Sequence, residues 1–211
     1  MPSRNGITLP PDTIPDTIQR RFKPKNLMNV LFDHQIFTLQ KFGGISRYFV
    51  EIMKRMPDDI NVNNSTLLSD NFFLKTDAYR ERKTFSIPLL KKRTKTELYL
   101  KVNDWKTLHD LREKKSDLFH PTYFNPYFLK ALKTPYVMTV HDMIYERFPD
   151  LFDKSDPTIA QKKETITRAD KIIAISECTK KDVMDIYGIP AERIEVIYHG
   201  HRHRPKPIRF V

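Results

Sequence analysis

The sequence predicts an α/β fold in which parallel strands form a sheet with helices on both faces. Short apolar runs of strand length recur along the chain, as strands covered on both sides require. Between them lie segments with the 3.6-residue period of amphipathic helices. The alternation of strands and helices, without internal repeats, indicates successive βα units. We therefore expect a Rossmann-like, doubly wound parallel sheet.

The first predicted unit begins at Met28. Residues 27–32, LMNVLF, form a continuous apolar run typical of a buried strand. Residues 44–56 follow with apolar side chains on one helical face, and Pro57 ends this helix. Residues 1–27 are rich in proline and poor in apolar surface, too poor to offset the entropy lost on ordering, and we expect a flexible leader.

The later elements continue the alternation. Strands are predicted at 60–68 and 85–87, followed by a long polar helix over about Thr94–Lys115, with Leu98, Val102, Trp105 and Leu108 on one side. Further strands are predicted at 117–120, 135–141, 171–176 and 194–200. Asp156 and Pro157 are typical of a helix start. Ser176 is a predicted cap for the next helix, which ends at Gly188. Residues 28–200 thus form one domain, and 201–211 contain a linker and an unfinished strand.

The charge of the chain favours an anionic partner. The sequence has 37 Lys and Arg against 26 Asp and Glu, a net charge of +11. Nucleic acid, a membrane surface and phosphorylated metabolites all fit this charge, although no aromatic-interleaved RNA-binding signature accompanies it. A single cysteine, Cys178, excludes an intrachain disulfide and fits a reducing cytoplasm. The N-terminus lacks the apolar core of a signal peptide, so export is not expected.

Glycines follow the first strand. Ligands of open α/β sheets bind beyond the carboxyl ends of the strands, and Gly43 and Gly44 lie there, directly before a predicted helix. They would let a phosphate approach backbone N–H groups and the positive end of the helix dipole. A tight loop without a ligand explains them equally well. The motifs GxGxxG and GxxxxGK[ST] do not occur, which excludes a classical dinucleotide dehydrogenase and a P-loop enzyme.

Histidines follow two other strands. His141, with Asp142 after it, ends the run PYVMTV and could bind a sugar hydroxyl or stabilise a leaving phosphate. A structural histidine tied to a loop carbonyl is the alternative. His120 precedes the aromatic loop PTYFNPYF, which suits a sugar ring or a lipid, or else a loop packed in the core. The HGHRH run at 199–203 lacks neighbouring Cys, Asp or Glu, so we expect a solvated linker and no metal site.

Four motifs together resemble the N-terminal half of family-four glycosyltransferases, enzymes with two Rossmann-like domains in the GT-B fold. The motifs are Gly43-Gly44-Ile45 opening a helix, PYVMTVHD, ADKIIAISECTKKD and YGIPAERIEVIYHG, and the resemblance covers about residues 28–200. It implies that Gly43, Gly44 and Ile45 approach the donor diphosphate. It also implies that His141 and Asp142 are catalytic residues near the donor sugar, and that the acceptor side includes His120, Tyr123 and Ser176.

The resemblance further implies a retaining hexosyl transfer from a nucleotide sugar, with no metal and no cofactor. In the family, a C-terminal domain carries the Arg/Lys pair that neutralises the diphosphate. Residues 201–211 resemble the linker and first strand of that domain, truncated, so we expect this fragment alone to be inactive.

The expected partners are a nucleotide-sugar donor, a glycan or lipid-linked acceptor of polysaccharide biosynthesis, and an anionic membrane reached through Lys91–Lys101 and Lys162–Lys163. The expected location is cytoplasmic, peripheral at the inner face of the membrane, and nucleic acid is not an expected partner. Two alternatives stay open: a non-catalytic basic module that binds nucleic acid or phosphorylated ligands, and a nucleotide-sugar epimerase of the same fold.

Overall fold

The computed structural model describes residues 27–76, 84–87, 91–113, 116–153 and 155–200. The predictions of a leader at 1–27, apart from residue 27, and of a linker with an unfinished strand at 201–211 lie outside these residues.

The described residues form one all-parallel arrangement of strands. The strands are β1 (Met28–Phe32), β2 (Ile60–Asn64), β3 (Leu118–His120), β4 (Val137–Val140), β5 (Lys171–Ala174) and β6 (Ile194–Val196). Two ladders, β2-β1-β3 and β4-β5-β6, are joined by a parallel bridge between Phe119 and Tyr136. The resulting order, β2-β1-β3-β4-β5-β6, confirms the predicted doubly wound, Rossmann-like sheet.

Helices connect most of these strands. They are α1 (Gln35–Leu39), α2 (Gly44–Arg55), α3 (Phe72–Thr76), α4 (Lys92–Arg112), α5 (Ile144–Arg147), α6 (Thr158–Arg168) and α7 (Glu177–Tyr187). Within the described ranges, no helix combines the length and the apolar character that crossing a membrane would need. Helix α1 is short and was not predicted, because its residues follow a strand without a helical start signal.

Helix α2 forms as its apolar period predicts. Phe49, Val50 and Met53 are buried against Val30 and Phe32 of β1. The helix ends at Arg55, just before Pro57, whose ring cannot continue a helix. A second and larger apolar cluster lies around β4 and β5, with Phe119, Phe128, Met138, Ile166, Ile172 and Val183 among its members. Together the clusters place the core on both sides of the sheet.

Helix α4 buries a different side from the one that its apolar residues indicate. Trp105 is 62% exposed, whereas the buried residues include Asn103 and Thr107. The Asn103 side-chain oxygen accepts hydrogen bonds from the backbone N–H groups of Leu67 and Leu68, at 2.9 and 3.0 Å. These N–H groups lie beyond the end of β2 and need a partner once they are away from water. The polar side of α4 is therefore the buried one.

Two smaller predictions are also corrected. The predicted strand at 60–68 ends at Asn64, and residues 85–87 make only a single bridge, between Phe85 and Leu68. The helix expected to begin at Pro157 begins at Thr158, one residue later, although the Asp156 carboxylate still accepts a hydrogen bond from its N–H at 2.9 Å. The Ser176 cap is confirmed, because its hydroxyl oxygen accepts from the Thr179 N–H at 3.1 Å.

Candidate functional site

The sheet has one topological switch point. From β1 the chain crosses to β2 on one side, and from β2 it crosses to β3 on the other side of β1. Open α/β sheets bind ligands beyond the carboxyl ends of the strands at such a point. The residues that end or follow β1, β3 and β4 there are Asp33, His120 and His141. The candidate site is the crevice that these strand ends share with the start of α2.

Asp33 joins the loops that follow β1 and β3. Its fully buried carboxylate accepts hydrogen bonds from the Thr122 N–H at 2.8 Å and the Thr122 hydroxyl at 2.6 Å. The other carboxylate oxygen accepts from Gln35 Nε2 at 2.7 Å and from the Tyr127 hydroxyl at 3.3 Å. Burial and the nearby Asp33 carboxylate raise the pKa of Tyr127, so its hydroxyl keeps the proton that it donates. Neutral donors thus hold this side of the crevice rigid.

Gln35 completes this connection. Its side-chain oxygen accepts from the Asn125 N–H at 2.8 Å, and its nitrogen donates to the Asn125 carbonyl at 3.2 Å. The aromatic loop 121–128 is fixed in this way, with Phe124 and Phe128 in the core and Tyr123 half-buried. Core packing therefore explains the rings of Phe124 and Phe128. It does not fully bury Tyr123, the residue of this loop that was predicted to lie on the acceptor side.

The sequence analysis missed Asp33, His34 and Gln35. The His34 ring is buried, with Nε2 2.8 Å from an Asp104 carboxylate oxygen and Nδ1 3.0 Å from the Thr38 hydroxyl. A signal for all three exists in the sequence, because consecutive polar residues directly after a buried strand lie at the ligand-binding edge of the sheet.

The glycine loop leads into α2. Gly43 has an extended backbone and Gly44 is the first residue of the helix, with Ile45 half-buried behind it. A Cβ atom on Gly44 would meet no other atom of the described structure within 4 Å, so the helix start is open to an approaching group. The N-terminal end of a helix favours an anion there. The geometry is compatible with the predicted contact to a diphosphate.

His141 lies in a cluster of rings at the end of β4. The centroid of its ring is 5.0 Å from that of Tyr48, on α2, and 5.6 Å from that of His199, beyond β6. Its Nε2 atom is buried and has no hydrogen-bond partner among the described residues. The fold therefore brings His141 next to the helix that Gly43 and Gly44 begin. It also leaves one imidazole nitrogen without a hydrogen bond among the described residues.

The imidazoles of His120 and His141 are both neutral near pH 7. Burial lowers the pKa of His141 to about 4, with a further lowering by His199 and an opposing effect of Asp142. Burial also lowers the pKa of His120 to about 3, and His141 contributes in the same direction. His120 Nε2 is 2.9 Å from the Thr139 hydroxyl, and its ring lies between Phe32 and Phe49. A neutral His141 ring offers one donor and one acceptor.

The remaining predicted residues have local partners. The Asp142 carboxylate is exposed and accepts from the Ile144 N–H at 3.1 Å. Ser176 caps α7, and the Thr179 hydroxyl beside it donates to the His141 carbonyl at 3.4 Å. In the described part of the chain, no group of three or more His, Cys, Asp or Glu side chains could hold a metal ion.

The predicted membrane contact is wrong for Lys162. Its side chain is 2% exposed and pairs with Glu146 at 2.9 Å, so it cannot reach a membrane surface. The charge run at 162–163 misled the sequence analysis because the partner of Lys162 lies on another helix.

The parallel sheet, its switch point and the strand-end crevice define a Rossmann-like domain of the GT-B type. Residues 42–203 match the profile of Glycosyltransferase Family 4, and the chain belongs to that family. A search of curated protein sequences found no match. Among solved structures, the chain is similar to the apo form of the lipopolysaccharide outer core galactosyltransferase WaaB, with a TM-score of 0.52 and 18% sequence identity. That similarity covers 86% of this chain and 49% of the galactosyltransferase, so the chain spans about half its length.

Proposed function

We propose that this chain forms the acceptor-side domain of a retaining glycosyltransferase. The reaction is transfer of a hexosyl group from a nucleotide sugar to a glycan or lipid-linked acceptor of polysaccharide biosynthesis. The observation that carries the proposal is the unpartnered, buried Nε2 of a neutral His141 in the switch-point crevice. Membership of Glycosyltransferase Family 4 supports the reaction class.

In the proposed reaction, the bond between the anomeric carbon and the donor diphosphate breaks. The acceptor hydroxyl oxygen bonds the anomeric carbon, and its proton leaves with the diphosphate. Negative charge therefore grows on the diphosphate, where the N–H groups and dipole at Gly43, Gly44 and Ile45 stabilise it. No metal or cofactor takes part in this proposal.

His141 binds the sugar that is transferred. Because its ring is uncharged at pH 7, its Nε2 forms an ordinary hydrogen bond with a sugar hydroxyl. On the acceptor side, Tyr123 is half-buried in the loop after β3. His120 and Ser176 are already bonded to Thr139 and Thr179, and they act by holding the strand ends in place.

We also propose a peripheral contact with an anionic membrane at its cytoplasmic face. The positive charge comes from exposed residues along the first half of α4 and directly before it, namely Lys91, Lys92, Arg93 and Lys101. Basic residues near such a surface each contribute on the order of 1 kcal/mol.

The test is sugar transfer from a panel of nucleotide sugars, measured for this domain joined to its nucleotide-sugar-binding domain and for the His141→Ala variant of that two-domain protein. Loss of one well-placed stabilising group should lower turnover by about 10²-fold. His109→Ala is the matched control, because His109 is an exposed histidine on α4, and its turnover should be unchanged. A normal rate for His141→Ala with a much lower melting temperature would assign the histidine a structural role. Binding to heparin or DNA but not to nucleotide sugars, over a salt series, would favour a basic module instead.

A further inference from the structure

A buried ionic network lies behind the loop that carries His141. Lys162 of α6 donates from Nζ to the Asp142 carbonyl at 3.0 Å and to Glu146 of α5 at 2.9 Å. The other Glu146 carboxylate oxygen accepts from the Tyr187 hydroxyl of α7 at 2.7 Å. The side chains of Lys162 and Glu146 are both 2% exposed. Three helices therefore meet at one ion pair under the end of β4.

Two aromatic rings also surround the ammonium. Nζ of Lys162 lies 5.2 Å from the centroid of the Phe124 ring and 5.9 Å from that of Tyr145, within the range of cation–π attraction. Burial and the hydrogen bond to Glu146 raise the pKa of Tyr187, so Tyr187 remains a donor. Each polar atom of the network thus has a partner.

Stability alone is a weak reason for such a network. Replacing a buried ion pair by apolar side chains of similar volume is often neutral or stabilising. An apolar side chain could not, however, donate a hydrogen bond to the carbonyl of Asp142, the residue that follows His141. The neighbouring backbone is fixed as well, since Thr179 donates to the His141 carbonyl and the Ile144 N–H donates to Asp142. Lys162 supplies the bond between these two.

We infer that Lys162 is a positioning residue for His141. Its bond to the Asp142 carbonyl holds the strand-end loop so that the imidazole stays against Tyr48, with Nε2 in the crevice. The consequence for catalysis rests on the proposed glycosyltransferase function, whereas the position of the ring does not. The two parts can therefore be tested separately.

Two variants keep the net charge of the network unchanged, and only one of them removes the donor to the Asp142 carbonyl. In Lys162→Met/Glu146→Leu/Tyr187→Phe the whole network is apolar, and the Asp142 carbonyl has lost its donor. In Lys162→Gln/Glu146→Gln the charges are gone but an N–H donor remains. The control is Lys181→Met, since Lys181 is 70% exposed and pairs with Asp185 on the surface.

Two readouts separate position from catalysis. NMR titration of the histidine ring protons gives the pKa of His141, which burial lowers to about 4. In the apolar variant the loosened ring should gain water, and its pKa should rise by about one unit or more. Turnover should fall by roughly 10-fold to 10²-fold, the cost of misplacing a catalytic group by about 1 Å. The Gln/Gln variant and Lys181→Met should keep both values close to those of the natural protein.

Melting curves show whether the network is only structural. Lys162→Met alone leaves the Glu146 carboxylate buried without its ion-pair partner, so the melting temperature of this variant should fall sharply. The apolar triple variant should have a melting temperature close to that of the natural protein. If the pKa of His141 in the apolar variant equals that in the natural protein, the positioning role is wrong. If the two-domain protein transfers no sugar but the apolar variant still raises the His141 pKa, the positioning role stands and the proposed function fails.

Discussion

His120 should make the protein sensitive to acid. The ring is 4% exposed, and burial lowers its pKa from 6.5 to about 3. Between these two values the unfolded chain binds a proton that the folded protein does not bind. Protonation then favours unfolding, so the stability that a neutral His120 contributes is present above pH 6.5 and is lost as the pH falls toward 3.

The size of the effect follows from the pKa values. A pH of 5 is 1.5 units below 6.5, the pKa of the imidazole in the unfolded chain, whereas the folded ring is still neutral at that pH. Each unit corresponds to about 1.4 kcal/mol, so His120 should cost about 2 kcal/mol between pH 7 and pH 5. His141, with a pKa lowered to about 4, should add a comparable loss by the same linkage.

The informative change is His120→Gln. A glutamine amide can keep the hydrogen bond to the Thr139 hydroxyl, but it does not titrate. Urea unfolding followed by circular dichroism gives the free energy of unfolding at pH 7 and pH 5 for each protein. The natural protein should lose about 2 kcal/mol more than the variant over this interval. Equal losses in the natural protein and in His120→Gln would refute the reasoning.

Three further outcomes are expected. Gly44→Val should raise the donor KM while the melting temperature changes little, because the new side chain enters the open space where a diphosphate would approach. In the same kinetic assay, Gly44→Ala should raise the donor KM by a smaller factor. Asp33→Asn should lower the free energy of unfolding by about 2 kcal/mol, since the amide cannot accept from all of its donors, and denaturant unfolding beside the exposed control Asp150→Asn checks this. Asn103→Ala should cost roughly 2–4 kcal/mol in the same measurement, because the buried N–H groups of Leu67 and Leu68 lose their acceptor.

The architecture was predictable because it follows from local patterns. Strand β5 is an apolar run with Ile172 and Ala174 fully buried, and such runs are typical of parallel strands. Helix α2 shows the apolar period that its burial requires. Position at a strand end was enough to select His141 as a candidate, and the glycine pair before α2 was found by the same rule.

Partners distant in sequence were not predictable. The buried side of α4 is polar because Asn103 binds backbone groups 35 and 36 residues away. The charge of Lys162 predicted a solvent-exposed side chain. Its burial depends on Glu146, which lies on another helix 16 residues earlier. In both places a polar side chain is buried because tertiary contacts satisfy it, and no local pattern records those contacts.

Unmet hydrogen bonding gives an independent reason to place the site where the strands end. Among the described residues, five buried side-chain atoms have no partner, and two of them are Nε2 of His141 and Oε1 of Gln40. Gln40 lies beside Gly43, where its side chain occupies the space that a Cβ would need. A buried polar atom without a partner costs about 1–3 kcal/mol, and proteins break this rule mainly at functional sites. Asp33, His120 and Ser176 have their bonds within the protein, whereas Nε2 of His141, beside Tyr48, and Oε1 of Gln40, beside Gly43, have none among the described residues. A ligand that bonds both would have to span the glycine loop and the end of β4, as the diphosphate and sugar of a nucleotide-sugar donor would.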